Sequence, residues 1–257
     1  MGTTSSDVSV EVRDHIAIVT MHRPPANFFD VELVGELAAA FEELGDNGCR
    51  AAVLASEGKH FCAGANFGKS DGLIERDAST RKLYREALRM FRLPMPVVAA
   101  VQGAAVGGGL GLACSADFRV TVAGARFHAN FAALAIHQGF ALSATLPRLV
   151  GRQRASELFY TARRVSGTEA VELGLADRLA PDSDPLPEAI AFAEQIAASS
   201  PLAVRSMKQT LRGDLLAQVI EAVEREAGEQ SRLWKTEDSR IGIAANLARE
   251  TPVFLGR

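Results

Sequence analysis

The sequence predicts an α/β fold, and three observations carry that prediction. Two short apolar runs, Ala51-Ala52-Val53-Leu54-Ala55 and Val97-Val98-Ala99-Ala100-Val101, have the length and composition of buried strands, and each runs into a loop of small residues. Apolar residues recur at helical spacing before and between them, first at Val31, Val34, Leu37, Ala38, Phe41 and Leu44. From Leu142 onward the pattern is almost wholly helical.

Taken in order, Val8 to Val12 and Ile16 to Met21 alternate apolar and polar around Arg13-Asp14-His15 and read as a β-hairpin, which Arg23-Pro24-Pro25 then breaks. Asp30 is placed to N-cap the helix that starts at Val31 and runs until Gly45. After the Ala51 strand, the polar segment to about Thr80, with Gly68 and Gly72, reads as a substrate-facing loop. Leu83, Ala87, Met90 and Phe91 mark a helix face that ends before Pro94 and Pro96. Leu110 to Cys114 reads as the first turns of a buried helix, Phe118 to Val122 as a strand, and Ala125 to Phe131 as a return strand or loop. Beyond Leu142, Thr168 and Ser199-Ser200-Pro201 are helix starts, while Gly151, Gly174 and Gly213 are stops. Arg178-Leu179-Ala180 reads as one short strand, and Glu221 to Trp234 as an amphipathic helix.

A chain of 257 residues can bury a full core as one domain with a terminal appendage. A formal charge of −3 and no long basic run give no reason to expect nucleic acid or an anionic membrane as partner. No stretch approaches the roughly 20 apolar residues of a membrane span. Cys49, Cys62 and Cys114 are too few and too irregularly spaced for a disulfide framework or a zinc site. A cytoplasmic protein without a metal is the expectation.

The stretch Glu57 to Asn66 and the turn Val106-Gly107-Gly108-Gly109-Leu110-Gly111 follow the two apolar strands. Small residues let a ligand approach the backbone, so two such loops could aim two N–H groups at one carbonyl oxygen, as stabilisation of an oxyanion requires. The segments F-C-A-G-A-N (61–66), A-A-V-Q-G-A-A-V-G-G-G-L-G-L-A-C-S-A-D (99–117) and L-P-R-L-V-G-R-Q-R-A-S-E-L (146–158) resemble, in order and spacing, the enoyl-CoA hydratase/isomerase (crotonase) superfamily. The resemblance extends from Met21 to Phe254. It implies a ClpP-like fold of repeated ββα units over residues 1–198, and a helical region over 199–257 that assembles a homotrimer or a dimer of trimers. It implies a lyase, isomerase or hydrolase acting on acyl-CoA, with CoA as part of the substrate and no separate cofactor. Ala65 and Gly108 take the positions of the two oxyanion donors. Ala26, Phe28, Ala63, Asn66 and Phe67 line the CoA path, and Arg249 matches a basic position in the last helix.

Hydratases of the superfamily hold water between two glutamates, and at those positions stand Gly111 and Phe131, neither of which can transfer a proton. General acid–base help is worth roughly 10²- to 10⁴-fold, so ordinary hydration is expected to be feeble. An enzyme doing other thioester-enolate chemistry and a non-catalytic acyl-CoA-binding protein are the two readings. Relatives with other chemistry carry a catalytic aspartate near the position of His137, which makes that residue the first candidate base. His128 and Tyr84 are weaker candidates. Cys62 and Cys114 adjoin the oxyanion segments and read as small hydrophobes, while Asp71 and Glu75 lie in the variable loop. With a carboxylate absent at Gly111 and an apolar ring added at Phe131, the acyl pocket is expected to suit a bulky or cyclic group.

Overall fold

The computed structural model describes residues 7–66 and 73–257, the side chains of 73–77 excepted. The hairpin forms as β1 (Val8–Arg13) and β2 (Ile16–Met21), and α1 (Val31–Asp46) follows with the Asp30 side chain accepting a hydrogen bond from Leu33 N. Then come β3 (Ala51–Ser56), α2 (Leu73–Met90), β4 (Val97–Val101), β5 (Ala104–Val106), α3 (Gly108–Ser115), β6 (Phe118–Thr121) and β7 (Arg126–His128). A 3-10 turn at Ala132–Leu134 leads to α4 (Leu142–Val150) and α5 (Arg152–Thr161). The chain ends through β8 (Arg164–Ser166), α6 (Gly167–Glu172), β9 (Arg178–Leu179), α7 (Leu186–Ala197), α8 (Pro201–Leu211), α9 (Leu215–Leu233) and α10 (Glu237–Ala248).

A six-stranded sheet has the order β1-β2-β3-β4-β6-β9, antiparallel only between β1 and β2. A second sheet, β5-β7-β8, stands beside it. Burial on both faces explains why β3 and β4 are unbroken apolar runs, with every residue from Ala51 to Ala55 and from Val97 to Val101 buried.

Three expectations change here. The second half of the polar segment before Thr80 is helix, since α2 begins at Leu73. Ala125 to Phe131 is not a hairpin return on β6, because β7 leaves that sheet and pairs parallel with β5 and antiparallel with β8, a strand that sequence reading missed. The helix after the glycines ends at Ser115, where the Ser115 hydroxyl donates to Leu112 O at 2.7 Å and Ala116 turns extended.

The region after 199 does not stand off from the core. Leu215, Val219, Val223 and Ala227 of α9 form a second apolar cluster with Tyr84 and Phe91 of the α2 side and with Ala141 before α4. Among the described residues no helix is long and apolar enough to cross a membrane, and no group of three or more His, Cys, Asp or Glu is placed to hold a metal ion.

Candidate active site

Because β3 and β4 run parallel, with Leu54 opposite Ala99, their carboxyl ends lie at one edge and deliver the two glycine-bearing loops side by side. The pairing continues beyond the strands: Phe61 N donates to Gln102 O at 2.9 Å, Cys62 N to Ala104 O at 3.0 Å, and Val106 N to Cys62 O at 3.0 Å. Gly64, at φ 82°, then turns the first loop against the second so closely that a Cβ there would lie 2.7 Å from Val106 O and 3.3 Å from Gly108 N.

Two peptide planes fix the donors. Gly64 O accepts from Phe29 N at 3.1 Å, and in a trans peptide the next N–H points the opposite way, so Ala65 N–H faces away from Phe29. Gly107 O accepts from Gly111 N at 3.2 Å as the first bond of α3, so Gly108 N–H points out of the helix N-terminus, where the helix dipole adds positive potential. Neither N–H is hydrogen-bonded within the chain among the described residues. Ala65 and Gly108 both line a cavity of about 780 Å³. Two unspent, adjacent amides on a cavity wall can polarise one carbonyl oxygen.

The expected CoA-path residues Ala26, Phe28, Ala63 and Asn66 line the same cavity, whereas Phe67 and Asp71 lie outside the described residues, as does the Glu75 side chain. Arg23 sits at this end too, its guanidinium 2.9 Å from Asp7 and 2.6 Å from Asp30. Arg249 is exposed at the C-cap of α10; its own side chain does not line the cavity, though Asn246 and Leu247 do.

At the other end Phe131 lines the cavity, but Gly111 does not. The space left by the absent carboxylate is filled, since a Cβ at Gly111 would lie 2.5 Å from Phe140 Cβ and 2.9 Å from Phe140 O. Phe140 itself forms the wall, its ring centroid 5.4 Å from that of Phe29. His137 is not among the lining residues either, and its Nδ1 is bonded to Gln138 O at 2.9 Å. His128 lies off the cavity with Nε2 2.7 Å from Ala162 O, and burial pulls its pKa down. Burial pushes the Cys62 thiol up to about 12 and the Cys114 thiol to about 11, so neither is a nucleophile. Tyr84 does line the cavity; its hydroxyl donates to Gln230 Oε1 at 3.1 Å, and burial raises its pKa. Among the described lining residues the only titratable side chains are Tyr84 and the Asp7, Arg23 and Asp30 group.

The enoyl-CoA hydratase/isomerase family model matches residues 11–257. The chain belongs to this family. Two relatives from Bacillus subtilis (strain 168) carry provisional names, one as an enoyl-CoA hydratase/isomerase and one as an enoyl-CoA hydratase. The first is 35% identical over 253 residues, 95% of each chain. The second is 32% identical over 254 residues, 97% of this chain and 98% of its own. The crystal structure of an enoyl-CoA hydratase/isomerase from Mycobacterium paratuberculosis superposes with a TM-score of 0.84 at 31% identity, covering 94% of this chain and 99% of that one. The fold is therefore the crotonase fold of the family.

Sequence reading missed Phe29, Phe140, Glu226, Gln230 and Trp234. Glu226 alone carried a signal: it is a carboxylate beside Ala227 on the helical stripe Val219, Val223, Gln230, where the period calls for an apolar residue.

Proposed function

We propose that the protein binds an acyl-CoA thioester and polarises its carbonyl between Ala65 N–H and Gly108 N–H, so that negative charge develops on the oxygen as an enolate or oxyanion. The observation that supports this best is the pair of unbonded amides facing one cavity. With Gly111 and Phe131 at the positions of the hydratase glutamates, the reaction is one other than standard hydration, such as isomerisation, C–C bond hydrolysis or decarboxylation. Hydration of crotonyl-CoA should fall far below the rate of about 10² s⁻¹ that would mark a dedicated hydratase.

A test independent of turnover uses a conjugated cinnamoyl-CoA, whose absorption moves to longer wavelength when its carbonyl is hydrogen-bonded. A red shift on binding is expected, and binding without a shift would count against the oxyanion assignment. One observation favours a second reading, a non-catalytic acyl-CoA-binding protein. Tyr84, the titratable side chain at the acyl end, has its hydroxyl proton engaged within the chain by Gln230. A mass-spectrometric screen of acyl-CoA thioesters that finds tight binding and no product would select it. Assembly into a trimer or a dimer of trimers, in the cytoplasm, belongs to the same proposal. Exposed Leu202, Met207 and Leu211 on α8 and Leu247 on α10 support the assembly.

A further inference from the structure

Phe140 and Ala141 both have left-handed backbone, at φ 58° and 59°, a conformation that costs a residue with a side chain free energy unless its surroundings impose it. Three side chains from two distant helices impose it. The Tyr84 hydroxyl on α2 packs against Gly139 and donates to Gln230 Oε1 at 3.1 Å, and Ala141 N donates to Glu226 Oε2 on α9 at 2.8 Å. Ser143 N donates to Glu226 Oε1 at 2.8 Å, and Gln230 Nε2 donates to His137 O at 2.9 Å. Helix α4 has no side-chain cap of its own, so Glu226, wholly buried and 85 residues away in sequence from Ala141, caps it. No cation pairs with Glu226 among the described residues. The segment so clamped carries Phe140 into the space over Gly111 and makes its ring part of the cavity wall.

We propose that Phe140 is the residue that sets acyl-group size in this protein, and that Glu226 is a positioning residue that holds it there through the first turn of α4. The inference rests on the acyl-CoA reading. It goes beyond that reading in assigning selectivity to the 137–143 segment, and it explains why the chain takes glycine at 111: any side chain there would displace Phe140.

The test compares dissociation constants of CoA, butyryl-CoA and decanoyl-CoA by calorimetry for the parent, Phe140→Ala, Phe140→Leu and Glu226→Gln. Phe140→Ala is expected to improve decanoyl-CoA over butyryl-CoA at least tenfold, Phe140→Leu to move the ratio less in the same direction, and Glu226→Gln to move it about threefold, with affinity for CoA alone unchanged. A merely structural role for Glu226 would weaken all three ligands together and leave the ratio alone. Phe140→Leu decides the matter if the alanine variant does not fold. A ratio within twofold of the parent in the folded Phe140 variants would overturn the assignment of Phe140. An unchanged ratio in Glu226→Gln would overturn the positioning role. If the parent bound no thioester, the acyl-CoA reading itself would fall, and this inference with it, which separates the two failures.

Discussion

Gly108 and Gly111 are three residues apart on one short helix, yet they are glycine for different reasons. Gly108 must present its N–H and also accommodate the Phe29 ring, whose Cζ would lie 2.4 Å from a Cβ placed there. Replacing Gly108 by proline removes the donor while suiting the first helical turn, but it also drives Cβ into that ring. Combined with Phe29→Leu, which withdraws the blocking atoms, Gly108→Pro should keep the fold, abolish the cinnamoyl-CoA red shift and cost about 3 kcal/mol of transition-state stabilisation wherever turnover is found. Persistence of the red shift in the double variant would refute the role of this amide. Gly111, by contrast, faces Phe140 and not substrate. Gly111→Glu, which writes back the hydratase carboxylate, should therefore destabilise the protein by about 1–3 kcal/mol through overpacking and should not restore crotonyl-CoA hydration. Denaturant unfolding and a hydration assay on the same variant check both halves.

Among the helices, α9 has a role that its amphipathic pattern only half announces. Its stripe of Leu215, Val219, Val223 and Ala227 packs against α2 and the start of α4, and Glu226 brings a carboxylate into that contact. Burial raises the Glu226 pKa from 4.5 to about 7, against the two backbone N–H donors that favour the charged form. The unfolded chain therefore gives up this proton near pH 4.5 and the folded protein near pH 7. Between those values the folded state binds more protons, so the stability contributed by this group is complete below about pH 4.5, falls as pH rises, and is lost above about 7. The shift corresponds to about 3 kcal/mol. Stability measured from pH 5 to 8 should decline in the parent relative to Glu226→Gln. Parallel curves would mean that this carboxyl titrates alike in the folded and unfolded chain.

At the scale of the whole molecule, the large apolar side chains left exposed among the described residues include Leu202, Leu211 and Val253 at the helical end, each more than three-quarters exposed, besides Val12, Tyr160 and Leu179 elsewhere. The proposed assembly would cover those at the helical end. Sedimentation velocity should give three or six times the 27.4 kDa chain mass, and Leu202→Glu with Leu211→Glu should lower it. A parent that sediments as a monomer would remove assembly from the proposal.

What could be read from the chain was whatever depends on neighbours in sequence. The Asp30 cap, the β1–β2 hairpin, the apolar runs of β3 and β4 and the glycine turn are each set by residues within a few positions of one another, because strand burial, capping and turns are local demands. The two small-residue loops were legible for the same reason, while the assignment of Ala65 and Gly108 within them came from the resemblance of those loops to the family's motifs. The acyl end was not legible. Removing a carboxylate at Gly111 implies an empty space only if nothing else enters, and Phe140 enters because Tyr84, Glu226 and Gln230, 56 to 90 residues away along the chain, hold its backbone in a conformation it would not take alone. His137 looked like the base by its place in sequence, but that same clamp keeps it off the cavity, with its carbonyl bound to Gln230. Which side chain occupies a cavity is decided by close packing among elements distant in sequence, and only the assembled tertiary structure contains that information.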